Sequence, residues 1–148
     1  MAPIQAVAAL REIAAEQGAL FSVGQAGQCG ATRSDLTSWR RRGWIRSVRR
    51  GAWAFTGQPP GRWEASVAAA LAAGPEAVIS HRSAADIHGF PGVTAGGRPD
   101  LTIAQGSDLR LNGVNIHRTG PVDPAMVERR AGVLITSPAM TVVDLAST

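Results

Sequence analysis

The sequence predicts an α+β protein, an N-terminal winged helix-turn-helix followed by a small mixed α/β domain, and three stretches carry the prediction. The first is Thr32 to Phe55, a short helix opened by a capping box and followed by a basic hairpin. The second is the breaker Thr56-Gly57-Gln58-Pro59-Pro60-Gly61, which ends the first unit near residue 57 and starts the next near 62. The third is the run of short apolar stretches and turns beyond it. Residues 1–57 are therefore read as one domain and 62–148 as a second.

In the first stretch, Thr32 with Asp35 three residues on is a weaker form of the Ser/Thr-x-x-Glu capping box. At helical spacing Leu36 and Trp39 share one side, while Arg33, Ser34, Thr37 and Arg41 share the other. One side is fit for a core and the other for a contact outside the protein. Gly43 ends the helix, and Trp44–Val48 and Ala52–Phe55 read as strands around Arg49-Arg50-Gly51. A helix followed by a basic hairpin is the sequence form of a recognition helix and its wing.

The chain before this stretch supplies the other parts. Pro3 to Gln17 reads as a helix with Val7, Leu10, Ile13 and Ala14 inward and Gly18 as its C-cap. Ser22 to Gln25 is a second capping box, opening a short helix that ends near Cys29-Gly30. Short helix, tight turn and helix from Thr32 have helix-turn-helix spacing; an αα-hairpin that only packs is the plainer reading.

Beyond the breaker, Trp63 to Ala73 is an alanine-rich helix with Trp63, Val67 and Leu71 inward. Ala77-Val78-Ile79 is a short strand or a helix lead-in, and Ser80 is expected to cap a helix from His81 to Gly89. Asp100 to Ala104 reads as a strand. Leu109 to His117 reads as a hairpin around Asn112-Gly113. Gly132 to Thr136 is another strand, and Ser137-Pro138 opens a last helix, Ala139 to Ala146. That helix has an apolar end without a cap, as expected of a truncated unit or one completed by a partner.

Charge separates the two parts. The 148 residues carry a net +4, and 45% hydrophobic with 18% charged residues is a globular balance. Residues 1–57 hold eight arginines against Glu12, Glu16 and Asp35, a balance of +5; the remainder holds seven against eight carboxylates, a balance of −1. The positive charge sits on the part that reads as a phosphate-facing domain. All 15 basic residues are arginine, as a GC-rich bacterial genome would encode. Without lysine, the chain alone cannot form a nuclease centre that sets a lysine beside two carboxylates. Cys29 is the single cysteine, so no intrachain disulfide forms. Neither a signal peptide nor a membrane-length apolar run is present, and a cytoplasmic protein is expected.

No catalytic constellation emerges. His81, His88 and His117 are the only histidines and lack metal-ligand spacing, so structural roles and no metal are expected. Ser83 and Ser137 lack a nucleophile elbow, Asp144 has no paired carboxylate, and Gly89–Gly97 has no phosphate-loop lysine. The amides at His81-Arg82-Ser83 suit an anion, but a capped contact between domains is the simpler role. Trp39, Trp44 and Trp53 alternate with arginine and read as core rather than base-stacking platforms.

The order of these pieces resembles the AbiEi-type antitoxins of bacterial toxin–antitoxin pairs. The likeness rests on Leu20-Phe21-Ser22, Arg33 to Trp44, Arg49 to Trp53, Ile79 to Ala85, Ile116-His117-Arg118 and Thr136 to Ala146. It implies a winged-helix domain that binds operator DNA upstream of its own operon. It also implies an α/β domain needed to neutralise a nucleotidyltransferase-like toxin. On this reading Arg33, Ser34, Thr37, Arg40 and Arg41 lie on the recognition helix, and Arg46, Arg49 and Arg50 on the wing. Relatives usually continue past the last helix, to finish the antitoxin domain or into a restriction-like nuclease domain, whereas this sequence stops there.

The expected function is sequence-specific binding of double-stranded DNA without catalysis or cofactor, as an autoregulatory repressor and antitoxin. Arg33, Ser34 and Thr37 would read base edges while the remaining arginines meet phosphates. The DNA-targeting half of a nuclease, and a protein–protein interaction module, are the alternatives. A monomer or weak dimer without membrane contact is expected.

Overall fold

A computed structural model describes residues 3–147. The first part runs α1 (Pro3–Ala15), β1 (Leu20–Ser22), α2 (Val23–Gln28), α3 (Arg33–Arg41), β2 (Ile45–Arg49) and β3 (Ala52–Phe55). Its strands form an antiparallel sheet in the order β1-β3-β2. Helix, strand, two helices and a hairpin closing on the first strand make a winged helix-turn-helix, so the chain is α+β as read from its sequence. The second part runs α4 (Glu64–Ala73), β4 (Val78–Ile79), α5 (His81–His88), β5 (Asp100–Ala104), β6 (Asn115–Thr119), a 3₁₀ turn (Pro124–Met126), β7 (Val127–Arg130), β8 (Val133–Thr136) and α6 (Pro138–Ala146). Its five strands form a mixed sheet in the order β6-β5-β4-β8-β7.

Both capping boxes close in full. Ser22 and Gln25 exchange side-chain and backbone bonds at the start of α2, as do Thr32 and Asp35 at the start of α3. Helix α1 stops at Ala15, two residues short of the sequence expectation, because Gly18 and Ala19 turn left-handed and the Ala19 amide returns to the Ala14 carbonyl. One core cluster then gathers Leu10, Phe21, Leu36, Trp39, Ile45 and Phe55.

Helix α4 joins the two sheets. Val67, Ala68, Ala69 and Ala70 are all buried in a second cluster, which also holds Leu20, Ala52 and Ala54 of the first sheet and Ile79, Leu101 and Ile135 of the second. A helix covered on opposite sides needs small apolar residues all round, which is what the alanine run provides.

The second part departs from the sequence expectation at three places. Leu109 to His117 is not a hairpin: β6 pairs parallel to β5, from Asp100↔Asn115 to Ala104↔Thr119. Asn112-Gly113 does turn, with Gly113 at φ 72, but within a crossover loop. Leu109 and Leu111 pack on the main core, and the Arg118 guanidinium occupies the Ser107 and Leu109 carbonyls, at 2.9 and 2.6 Å, that a hairpin ladder would have used. Ser80 precedes α5 without capping it; its Oγ instead accepts from Thr102 Oγ1 at 2.7 Å. The charged segment Val127–Arg130, which carries no apolar alternation, is an edge strand paired antiparallel to β8.

Candidate nucleic-acid interface

Helix α3 is set by its buried side. Leu36 and Trp39 are 5% and 2% exposed, so the helix cannot roll without breaking the core. Its end is equally fixed: Gly43 adopts φ 75, and the amides of Gly43 and Trp44 return to Arg40 and Trp39. Arg33, Ser34, Thr37 and Arg41 consequently stand together on the exposed face. Arg33 and Arg41 make no ion pair or hydrogen bond through their side chains among the described residues. Thr37 Oγ1 donates to the Arg33 carbonyl at 3.0 Å, which leaves its lone pairs outward. Arg40 is exposed and lies over the Trp53 ring, 5.9 Å from its centroid. Arg42 lies over Trp44 at 5.0 Å. Trp39 and Trp53 thus belong to the packing, while Trp44, 38% exposed, sits at the edge of the cationic face.

The hairpin arginines diverge. Arg50 is exposed at the turn. Arg46 is paired with Glu64 of α4 through both guanidinium Nη atoms. Arg49 donates from Nη2 to the Asn112 carbonyl at 2.6 Å, while its Nε is buried without a protein partner. The turn also rests on α4, where a Cβ on Gly51 would stand 3.4 Å from that of Ala72. The structure therefore brings Arg33, Ser34, Thr37, Arg40 and Arg41 onto one helix and Arg50 onto the turn. Arg46 and Arg49 point into the joint between the two sheets.

A second cluster of ionisable groups lies away from this face. The His81 and His117 rings stack with centroids 3.7 Å apart, and His117 Nε2 meets Asp100 Oδ1 at 3.0 Å. Asp144 Oδ2 is 3.9 Å from His81 Nδ1, beside a cleft of about 470 Å³. His81 holds a strained left-handed backbone at φ 53. Burial, and then the neighbouring His117, lower its pKa, while burial raises that of Asp144. The parallel β5–β6 pairing creates this contact, so the hairpin reading concealed it. Only the shared alternation of Asp100, Thr102 and Asn115, His117 along two strands signalled a common face. Among the described residues no group of three His, Cys, Asp or Glu is placed to hold a metal ion, and no helix is long and apolar enough to cross a membrane.

The fold and the helix face define a winged helix-turn-helix protein with a second α/β layer. Residues 8–56 match the family model described as "Transcriptional regulator, AbiEi antitoxin", which shows the N-terminal resemblance read from the sequence. No curated protein matches the chain. Among solved structures, the RV2827C protein from Mycobacterium tuberculosis is similar over 99% of this chain, with a TM-score of 0.55 and 18% identity. The chain spans 61% of that protein's length, and at this identity the likeness shows the fold.

Proposed function

We propose that the protein binds double-stranded DNA sequence-specifically, as an autoregulatory repressor and the antitoxin of a toxin–antitoxin pair. The carrying observation is the face of α3, where Arg33, Ser34, Thr37 and Arg41 are exposed opposite a buried Leu36 and Trp39. A helix so anchored can enter the major groove with its donors pre-oriented. Arg33, Ser34 and Thr37 read base edges near the helix N-terminus, and Arg40, Arg41 and Arg50 meet phosphates. Arg46 and Arg49 act at one remove, holding the wing to α4 and to the β5–β6 loop. The family match at residues 8–56 supports a regulator of the antitoxin class. No covalent chemistry is assigned, and the partners are the protein's own operator and a nucleotidyltransferase-like toxin in the cytoplasm.

The reading is tested by a reporter driven by the DNA upstream of the gene. Wild-type protein should repress it, and Arg33→Ala with Arg41→Ala should relieve repression at equal protein level. Equal expression with and without the wild-type protein would reject it.

A further inference from the structure

We infer that the crossover loop between β5 and β6 extends the DNA-binding surface beyond the wing, with Arg110 as an additional phosphate contact; this rests on the DNA-binding reading above. The loop runs from Gln105 to Val114 and belongs to the second sheet, yet its tip touches the first. Asn112 gives its backbone carbonyl to Arg49 Nη2 at 2.6 Å. Arg50, the exposed cation of the wing, is one residue from that contact, and Arg110 is two residues from it on the other side.

The loop has the alternation of a strand without being one. Leu109 and Leu111 pack on the main core, so Asp108, Arg110 and Asn112 are turned outward and exposed. Arg118 fastens the base of the loop through the Ser107 and Leu109 carbonyls. The Val114 amide closes the tip on the Leu111 carbonyl at 3.3 Å. Arg110 is thus displayed from a tethered backbone, and its side chain makes no ion pair or hydrogen bond among the described residues. A preorganised cation on a loop that is hydrogen-bonded to the wing fits the phosphates of a duplex that continues past the wing. Asp108 is the one acidic residue of the loop, at the end away from the Arg49 contact.

The test compares the salt dependence of binding for wild type, Arg110→Ala, Asp108→Asn and the double variant Arg33→Ala with Arg41→Ala, on one long random-sequence duplex. Arg110→Ala should reduce the slope of log K against log salt by about one unit while leaving the unfolding midpoint unchanged. Asp108→Asn should leave the slope near the wild-type value. An unchanged slope for Arg110→Ala, with binding lost in the helix double variant, overturns the loop contact and leaves the recognition helix standing. Wild-type binding by both variants overturns the loop contact and the recognition-helix assignment together, and no binding by the wild-type protein overturns the DNA-binding reading itself.

Discussion

Arg46 and Glu64 grip each other through two guanidinium–carboxylate contacts, and this pair fastens the wing hairpin to the helix that carries the second sheet. Both side chains are largely withdrawn from water, at 34% and 17% exposure. A two-point pair in that setting is worth more than a surface ion pair. Arg46→Ala should lower stability by about 1–2 kcal/mol in urea unfolding. A double-mutant cycle with Glu64→Ala should return a clear coupling energy, and simple additivity of the two would refute the joint.

Gly132 faces Gln17 across the two parts of the molecule. It sits at φ 74, and a Cβ there would lie 2.7 Å from Gln17 Oε1, whose amide also exchanges bonds with Gln25 at 2.9 and 3.0 Å. Gly113 has nearly the same φ, 72, with nothing within 4 Å of its would-be Cβ. Gly113→Ala should therefore cost only the left-handed penalty of about 1 kcal/mol, and Gly132→Ala distinctly more. Equal shifts in thermal midpoint would show that the Gln17 contact carries no weight.

The stacked histidines give a pH dependence with a defined sign. His81 has a folded pKa below its ordinary 6.5, so the unfolded chain takes up that proton first and stability falls as pH drops through 6.5. Asp144 works oppositely: its folded pKa is raised above 3.8, so protonation favours the folded state as acid reaches that range. His117, Asp100 and Asp144 are the titratable groups that face His81. His81→Asn tolerates the left-handed backbone and has no proton to gain. It should flatten the loss of stability between about pH 7 and about pH 5. Parallel curves for variant and wild type would contradict this.

Much of the first part was legible because local signals agree there. The Thr32/Asp35 and Ser22/Gln25 boxes, the Gly43 stop and the opposed sides of α3 each act within a few residues, and none meets a competing demand. The second part was less legible because its outcome depends on distant partners. Asn112-Gly113 is a turn in either topology, and it is Leu109, Leu111 and Arg118 that choose the parallel one. Likewise nothing near Arg46 and Arg49 announces Glu64 or Asn112, so arginines that read as one wing patch divide between the surface and the joint.

That division sets the expectation for the wing. Arg50→Ala should lower the salt slope of duplex binding by about one unit. Arg49→Ala should change stability more than slope, since its guanidinium is committed to Asn112. Equal slope losses from both would place Arg49 on the phosphate surface after all.

Thr37 stands among the arginines of α3 with a hydroxyl whose proton is already given to the Arg33 carbonyl. Thr37→Ala should reduce discrimination between specific and random duplexes more than total affinity. Equal losses on both would argue against base reading at this position.

The most direct test of the DNA-binding account is fluorescence anisotropy of the wild-type protein at two salt concentrations. It would use the duplex upstream of its gene and a random duplex of equal length. Binding to the upstream duplex should be clearly tighter and persist at the higher salt while random binding fades. Equal affinities that vanish together with salt would contradict it.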